Sequence, residues 1–276
     1  MTGRKGHRLI LGATIACIVL FSVAPFAWFA LLALKSHLEI TAVPPAIFPR
    51  HISLEAISAA VFKYGLLRFL KNSVLVAGIT TAVCVAVGTL AAYPLARLPI
   101  KFKRTILLLI LAAGMFPQIS IAGPVWRILR ALDWLNTYQG LILPYLALTL
   151  PITVWILSNF FGELPGELEE AAKIDGASLF QILCKIIVPL AVPGVFTAGI
   201  LTFIYCWNEF FFALLIMTRS DFQTLPVGIA LFPGEYTMPW GEIAAASIVT
   251  TMPLILLAVF FQKRIISGLT AGAVRG

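Results

Sequence analysis

The chain has 276 residues, 60% of them hydrophobic and 12% charged, with a mean hydropathy of +0.98. A soluble domain carries about 45–50% apolar and about 25% charged residues, which excludes soluble enzymes, disordered chains and disulfide scaffolds and leaves an integral membrane protein. The formal charge of +8 would suggest nucleic acid in a soluble protein; here the basic residues fall mostly between apolar runs, which suits membrane topology instead. Cys17, Cys84, Cys184 and Cys206 are widely spaced, with no CxxC pair, and three of them sit in apolar runs, so they read as small hydrophobes. His7, His37 and His51 all precede residue 52, leaving the rest of the chain without a histidine for zinc or for a Ser-His or Cys-His pair.

Crossing about 30 Å of hydrocarbon at 1.5 Å per residue takes about 20 mostly apolar residues. Six stretches qualify: 9–34, 73–96, 105–126, 140–161, 189–217 and 243–261. Arg4, Lys5 and Arg8 precede the first, as they would a signal peptide. That run is longer than an h-region of about 7–15 residues and lacks a clean small-x-small cleavage site, so it reads as an uncleaved first span. Pro94, Pro117, Pro144, Pro151 and Pro193 lie inside or at the ends of these runs, where neighbouring helices satisfy the carbonyls that proline frees. Twelve of the twenty basic residues fall on the face shared by the N-terminus, the 97–104 connection, Lys173, Lys185 and the C-terminal tail. The positive-inside tendency makes that face cytoplasmic, with both termini inside.

The connection 162–189 departs from this pattern. It holds Glu163, Glu167, Glu169, Glu170 and Asp175, five of the chain's twelve acids, and acids do nothing for topology. Glu167 to Asp175 predicts a short helix opening after Pro165-Gly166. Gly176 suits the left-handed position that closes it, and Ser178 the N-cap of a second helix running until Pro189. Leu168, Ala171, Ala172 and Asp175 share one face at i, i+3, i+4 and i+7. A smooth face with one carboxylate fits a groove in a partner; a pair of amphipathic helices lying flat on the bilayer is the other reading of the same pattern.

Glu170-Ala171-Ala172, then Gly176, then Ile186-Ile187-Val188-Pro189 resembles the EAA loop of ABC importer permeases, with Val188 in place of leucine. The resemblance implies that this loop, with Glu170, Ala171, Ala172, Asp175 and Gly176, docks into a cleft on a cytoplasmic ATPase, Glu170 pairing with a basic residue there. The tail 266–276 is similar to that of maltose-type permeases, which implies a second contact with the ATPase at Leu269, Thr270, Gly272 and Gly276. Residues 92–98, 140–145 and 207–209 also resemble that subfamily. The fold so implied is all-α: a polytopic membrane protein with six transmembrane helices and the type I ABC importer permease fold. It forms a single permease domain over 1–276, with a helix-turn-helix at about 162–189 and a cytoplasmic tail at about 263–276. The implied partners are a sister permease, a dimer of ATP-binding subunits, an extracytoplasmic sugar-binding protein and membrane lipids, with no nucleic acid. ATP and Mg would be bound by the ATPase, with no cofactor in this chain, and the location would be a bacterial or archaeal cytoplasmic (inner) membrane.

Polar residues inside a membrane usually face a cavity or another helix. Trp207, Asn208, Glu209, Gln118 and Trp155 are the substrate-pathway candidates, and Asn208 and Glu209 serve equally well as contacts with a sister permease. Aromatic faces and amides are compatible with a sugar, and the subfamily resemblance implies a disaccharide or oligosaccharide. A glycerol-3-phosphate-like polyol phosphate stays open, although no lysine or arginine lies mid-span. No P-loop, H-E-x-x-H or G-x-S-x-G motif occurs, so an ATPase would be a separate polypeptide and the chain is expected not to be an enzyme. A self-sufficient secondary carrier is the competing reading, with Glu209 as its deep acid.

Overall fold

The computed structural model describes residues 2–44, 46–232 and 238–271. In chain order it forms α1 Thr2–Ala33, one-turn helices α2 His37–Ile40 and α3 Glu55–Ser58, a π-type turn Ala59–Lys63, α4 Leu66–Arg97, α5 Lys103–Gly114, α6 Gln118–Ala131, α7 Tyr138–Glu163 and α8 Glu167–Ile174. α9 Leu179–Ile182 continues through a π-type turn, Leu183–Ile187, into α10 Val188–Leu190. α11 Val192–Asn208, α12 Phe211–Ile216, α13 Leu225–Ala230 and α14 Trp240–Ala271 complete the chain. Among the described residues there is no strand, as the apolar runs and absent period-2 patterning require.

Four continuous helices are long and apolar enough to cross a membrane: Ile10–Ala33, Leu66–Arg97, Tyr138–Glu163 and Trp240–Gln262. Counted as one span each, two bent pairs bring the total to six: Lys103–Gly114 with Gln118–Ala131, at 80°, and Leu179–Leu190 with Val192–Asn208, at 81°. The third and fifth runs, expected as single stretches, are therefore each interrupted. In the third, α5 ends at Gly114, and Pro117, which disfavours a helical residue before it, takes up an extended backbone (φ −60°, ψ 124°) as the N-cap of α6. In the fifth, the two prolines Pro189 and Pro193 flank the bend at Ala191, and the crossing helix ends at Asn208 instead of running to 217.

The chain divides into two compact units, Met1–Leu67 with Gly228–Pro253, and Arg68–Val227 with Leu254–Gly276. In the first, residues 10–29 of α1 are exposed throughout. The buried Lys35 donates from Nζ to the Ala46 carbonyl at 2.6 Å and lies 5.0 Å from the Trp28 ring. Tyr64 and Phe232 stack at 4.5 Å.

The second unit holds the large core. Small residues let its helices approach closely: a Cβ on Gly88 of α4 would stand 2.8 Å from Thr153 Cγ2 of α7, and one on Gly194 of α11 would stand 2.3 Å from Phe160 Cγ. Polar rungs cross the same interfaces, with Thr153 and Thr202 hydroxyls 2.9 Å apart and the Cys84 thiol 3.3 Å from Thr153. A buried hydroxyl without such a partner costs free energy. At the first end of α4, buried Asn72 donates to the Asp221 and Gln223 carbonyls, both at 2.9 Å, and accepts from Tyr138 Oη at 2.8 Å. Arg68 pairs with Asp221 at 2.6 Å, and Ser73 Oγ accepts the Leu225 amide at 2.8 Å.

Candidate functional site

The helix-turn-helix predicted from local rules forms. α8 ends on Gly176 at φ +80°, a conformation that costs an L side chain about 1–2 kcal/mol. The Gly176 amide donates to the Lys173 carbonyl at 3.1 Å and the Ala177 amide to the Ala172 carbonyl at 2.9 Å, a Schellman closure that satisfies two carbonyls at the helix end. Ser178 then caps α9 in a capping box: its Oγ accepts the Gln181 amide at 3.3 Å, and Gln181 Oε1 accepts the Ser178 amide at 2.9 Å.

The two faces of α8 have different fates. Glu170, Ala171, Asp175 and Gly176 are exposed, together with Leu168 and Ile174, the last at 86%. Ala172 turns inward, into the buried cluster that also holds Tyr93, Phe161, Ile182 and Ile187. The smooth four-residue face expected around Leu168 is therefore three residues wide, because Ala172 sits beside Glu169 at the buried edge.

Glu169 was legible only as one more acid, yet it is buried. Arg97, at the last turn of α4, donates from Nε to Glu169 Oε1 and from Nη2 to the Pro165 carbonyl at 3.2 Å. Tyr93 Oη donates to Glu169 Oε2 at 3.4 Å. One guanidinium thus ties the entry turn and the first turn of the helix-turn-helix to the end of a membrane-crossing helix. The partners are 72 residues apart, and no spacing rule links them.

Of the interior candidates, Gln118, Asn208 and Glu209 converge on a hollow of about 500 Å³ that Tyr205, Phe210 and Phe211 also line. Gln118 Nε2 donates to Tyr205 Oη at 2.5 Å. Asn208 is exposed, and its Nδ2 reaches back to the Ile204 carbonyl at 2.8 Å. Buried Glu209 leaves the helical conformation (φ −68°, ψ 125°) and its carboxylate accepts from Tyr145 Oη at 2.7 Å, the Phe212 amide at 2.9 Å and the Ala213 amide at 3.2 Å. It ends α11 and caps α12, where a negative charge meets free amides. Trp207 is packed away, 3% exposed and stacked on Phe203 at 5.5 Å. Trp155 lines a different hollow, beside Lys103 and Arg104. In the tail, Leu269 and Thr270 fall on the last turn of α14, and Gly272 and Gly276 lie outside the described residues.

Four continuous spans, two bent pairs and a capped helix-turn-helix that leads from the fourth span into the bent fifth define a membrane permease of the type I ABC importer fold. The permease fold of a solved bacterial ABC transporter, involved in import of the acidic polysaccharide alginate, superposes with a TM-score of 0.82 at 19% identity, covering 95% of this chain and 98% of that one. The chain belongs to the binding-protein-dependent transport system inner membrane component family, whose model matches residues 84–270. It is 40% identical over 271 residues to the trehalose/maltose transport system permease protein MalG of Thermococcus litoralis, covering 97% of this chain and 96% of that protein. To the sulfoquinovosyl glycerol transport system permease protein SmoH of Agrobacterium fabrum it is 44% identical over 252 residues, 91% and 88% of the two chains. To the trehalose transport system permease protein SugB of Mycobacterium tuberculosis it is 40% identical over 262 residues, 94% of each. Membership of this family makes the chain a multi-pass inner-membrane permease component of a binding-protein-dependent transport system.

Proposed function

We propose that the chain is one permease half of an ATP-driven, binding-protein-dependent importer of a disaccharide or short oligosaccharide. It works by alternating access with a sister permease and is driven by a separate ATPase dimer docked at 162–189. Both termini face the cytoplasm, and the tail 263–276 gives the ATPase a second contact. ATP and Mg belong to the ATPase, and an extracytoplasmic binding protein delivers the sugar. The observation that carries the coupling reading is the division of labour on α8: Glu169 is held inward by Arg97, while the adjacent Glu170 and the apolar Leu168, Ala171 and Ile174 are left outward. A partner pushing on that face pushes on a segment tied to α4.

The sugar assignment is supported by relatives whose names specify trehalose, maltose and sulfoquinovosyl glycerol transport. The secondary-carrier alternative needs a deep acid free to exchange an ion, whereas both oxygens of Glu209 already accept hydrogen bonds. The test is affinity purification of the tagged chain from native membranes with mass spectrometry of its companions. Binding of trehalose, maltose and glycerol 3-phosphate to the recovered binding protein follows. A Walker-containing ATPase and a second permease are expected, with Glu170→Ala losing the ATPase but still inserting. A chain that purifies alone and moves solute unaided would refute the proposal.

A further inference from the structure

The mechanism makes no use of a hollow of about 450 Å³ between the last turn of α4, the first of α5 and the last two of α7. It lies at the ends of three membrane helices, where hydrocarbon gives way to water. Lys103 and Arg104 line it from α5, and among the described residues neither has an ion-pair partner. α5 begins after Phe102, whose left-handed backbone (φ 59°) offers no side-chain cap, so its first amides add positive potential beside the two cations. From α7 comes Ser158, only 6% exposed, whose hydroxyl has no hydrogen-bond partner among the described residues. A hydroxyl opening from the wall onto a cavity with two unpaired cations suits an anion there. Glu163, on the same wall as Ser158, supplies one negative charge at the end of α7. Asn159 adds an amide to the polar side, Leu95, Ala96, Leu107 and Trp155 form an apolar or amphipathic wall, and tryptophan is the side chain that favours the headgroup level.

We propose that this hollow binds one phospholipid whose headgroup carries both a phosphate and a primary ammonium, the phosphatidylethanolamine class. The phosphate sits against Lys103, Arg104 and the Ser158 hydroxyl, the ammonium against Glu163, and an acyl chain runs over Leu95 and Leu107. Basic pockets between membrane helices recognise phospholipid headgroups by this chemistry. The single acid is what separates an amine-bearing lipid from a purely anionic one. A free phosphate would use the cations and leave both the acid and the apolar wall unoccupied.

The test uses the complex purified with its companion subunits and transferred to phosphatidylcholine nanodiscs containing equal amounts of phosphatidylethanolamine and phosphatidylglycerol. Lipids retained after release from the disc are counted by native mass spectrometry, with a parallel sample in inorganic phosphate. Wild type is expected to retain phosphatidylethanolamine over phosphatidylglycerol. K103Q/R104Q is expected to lose that retention about tenfold, and E163Q to shift the preference to phosphatidylglycerol. All three positions are exposed, so the variants are expected to assemble normally, and co-purification of the companions checks this. Retention indifferent to K103Q/R104Q, or a wild-type preference for phosphatidylglycerol, overturns the proposal. So does displacement by inorganic phosphate alone, which would make this a small-anion site.

Discussion

Replacing Arg97 by methionine removes the cation but leaves the Glu169 carboxylate in place. The paired side chains are 12% and 6% exposed, so water does little to compensate, and among the described residues Tyr93 at 3.4 Å is the one remaining donor to it. Breaking a buried pair from one side costs about 3–5 kcal/mol, whereas replacing both members with apolar side chains of similar size is often close to neutral. Arg97→Met is therefore expected to open α8 locally, and Arg97→Met/Glu169→Met to close it again. The double variant keeps a residual cost of about 1 kcal/mol for the Pro165 carbonyl that Arg97 also serves. Amide hydrogen exchange of α8 in the solubilised complex reads this directly, because local opening free energy sets the rate. The single variant should exchange about 10²–10⁴-fold faster than wild type, and the double variant within about tenfold of it. Equal exchange in single and double variants would refute the reasoning, since it would mean that the pair contributes nothing beyond its separate side chains.

At Gly176 no atom lies within 4 Å of a built Cβ, so only backbone strain opposes a side chain. Gly176→Asn should keep ATPase co-purification and Gly176→Val lose it, because asparagine enters the left-handed region far more readily than a β-branched residue. Gly194→Ala should reduce the monodisperse fraction in size-exclusion chromatography, and Phe160→Ala should restore part of it, because the obstruction is a side chain. Gly140→Ala should find no such rescue, since its Cβ would stand 2.0 Å from the Trp134 carbonyl oxygen, which is backbone. Glu209→Gln should lower thermal stability by about 1–3 kcal/mol, because an amide cannot accept with both ends. It should leave the pH profile of transport unchanged; a displaced profile would return Glu209 to an ion-coupling role.

What was legible in the sequence was whatever depends on neighbours along the chain. Apolar runs gave the spans, and Gly176, Ser178 and the Pro165-Gly166 break gave the helix-turn-helix with its closure, because capping is decided within about four residues. The interruptions were harder. Apolar composition continues straight through 115–117 and 209, so a hydropathy reading carries the helix across. At Pro117 the break follows from geometry that one proline does not always impose, since Pro144 and Pro151 sit within an unbroken α7. Glu209 looked like a polar residue deep inside a span, yet it is the residue at which that span's helix stops. The separation of Trp155 from Gln118 and Asn208 follows from which face of α7 looks toward α5, and that is set by packing between distant segments.

Adjacent glutamates make the same point about function. On a helix, successive side chains diverge by about 100°, so Glu169 and Glu170 cannot share an environment once α8 lies on a surface. The surface decides which of them turns in, and it is built from Tyr93 and Arg97 at one end of α4. The other end of α4 is held by Arg68, Asn72 and Ser73 to the 221–225 segment. A helix of 32 residues anchored at both ends by buried or charge-assisted hydrogen bonds resists sliding along its axis, because any slide breaks both sets at once. On the proposed coupling, a motor acting at the outward Glu170 would therefore have its displacement of α8 carried to the far end of α4 rather than absorbed within the loop.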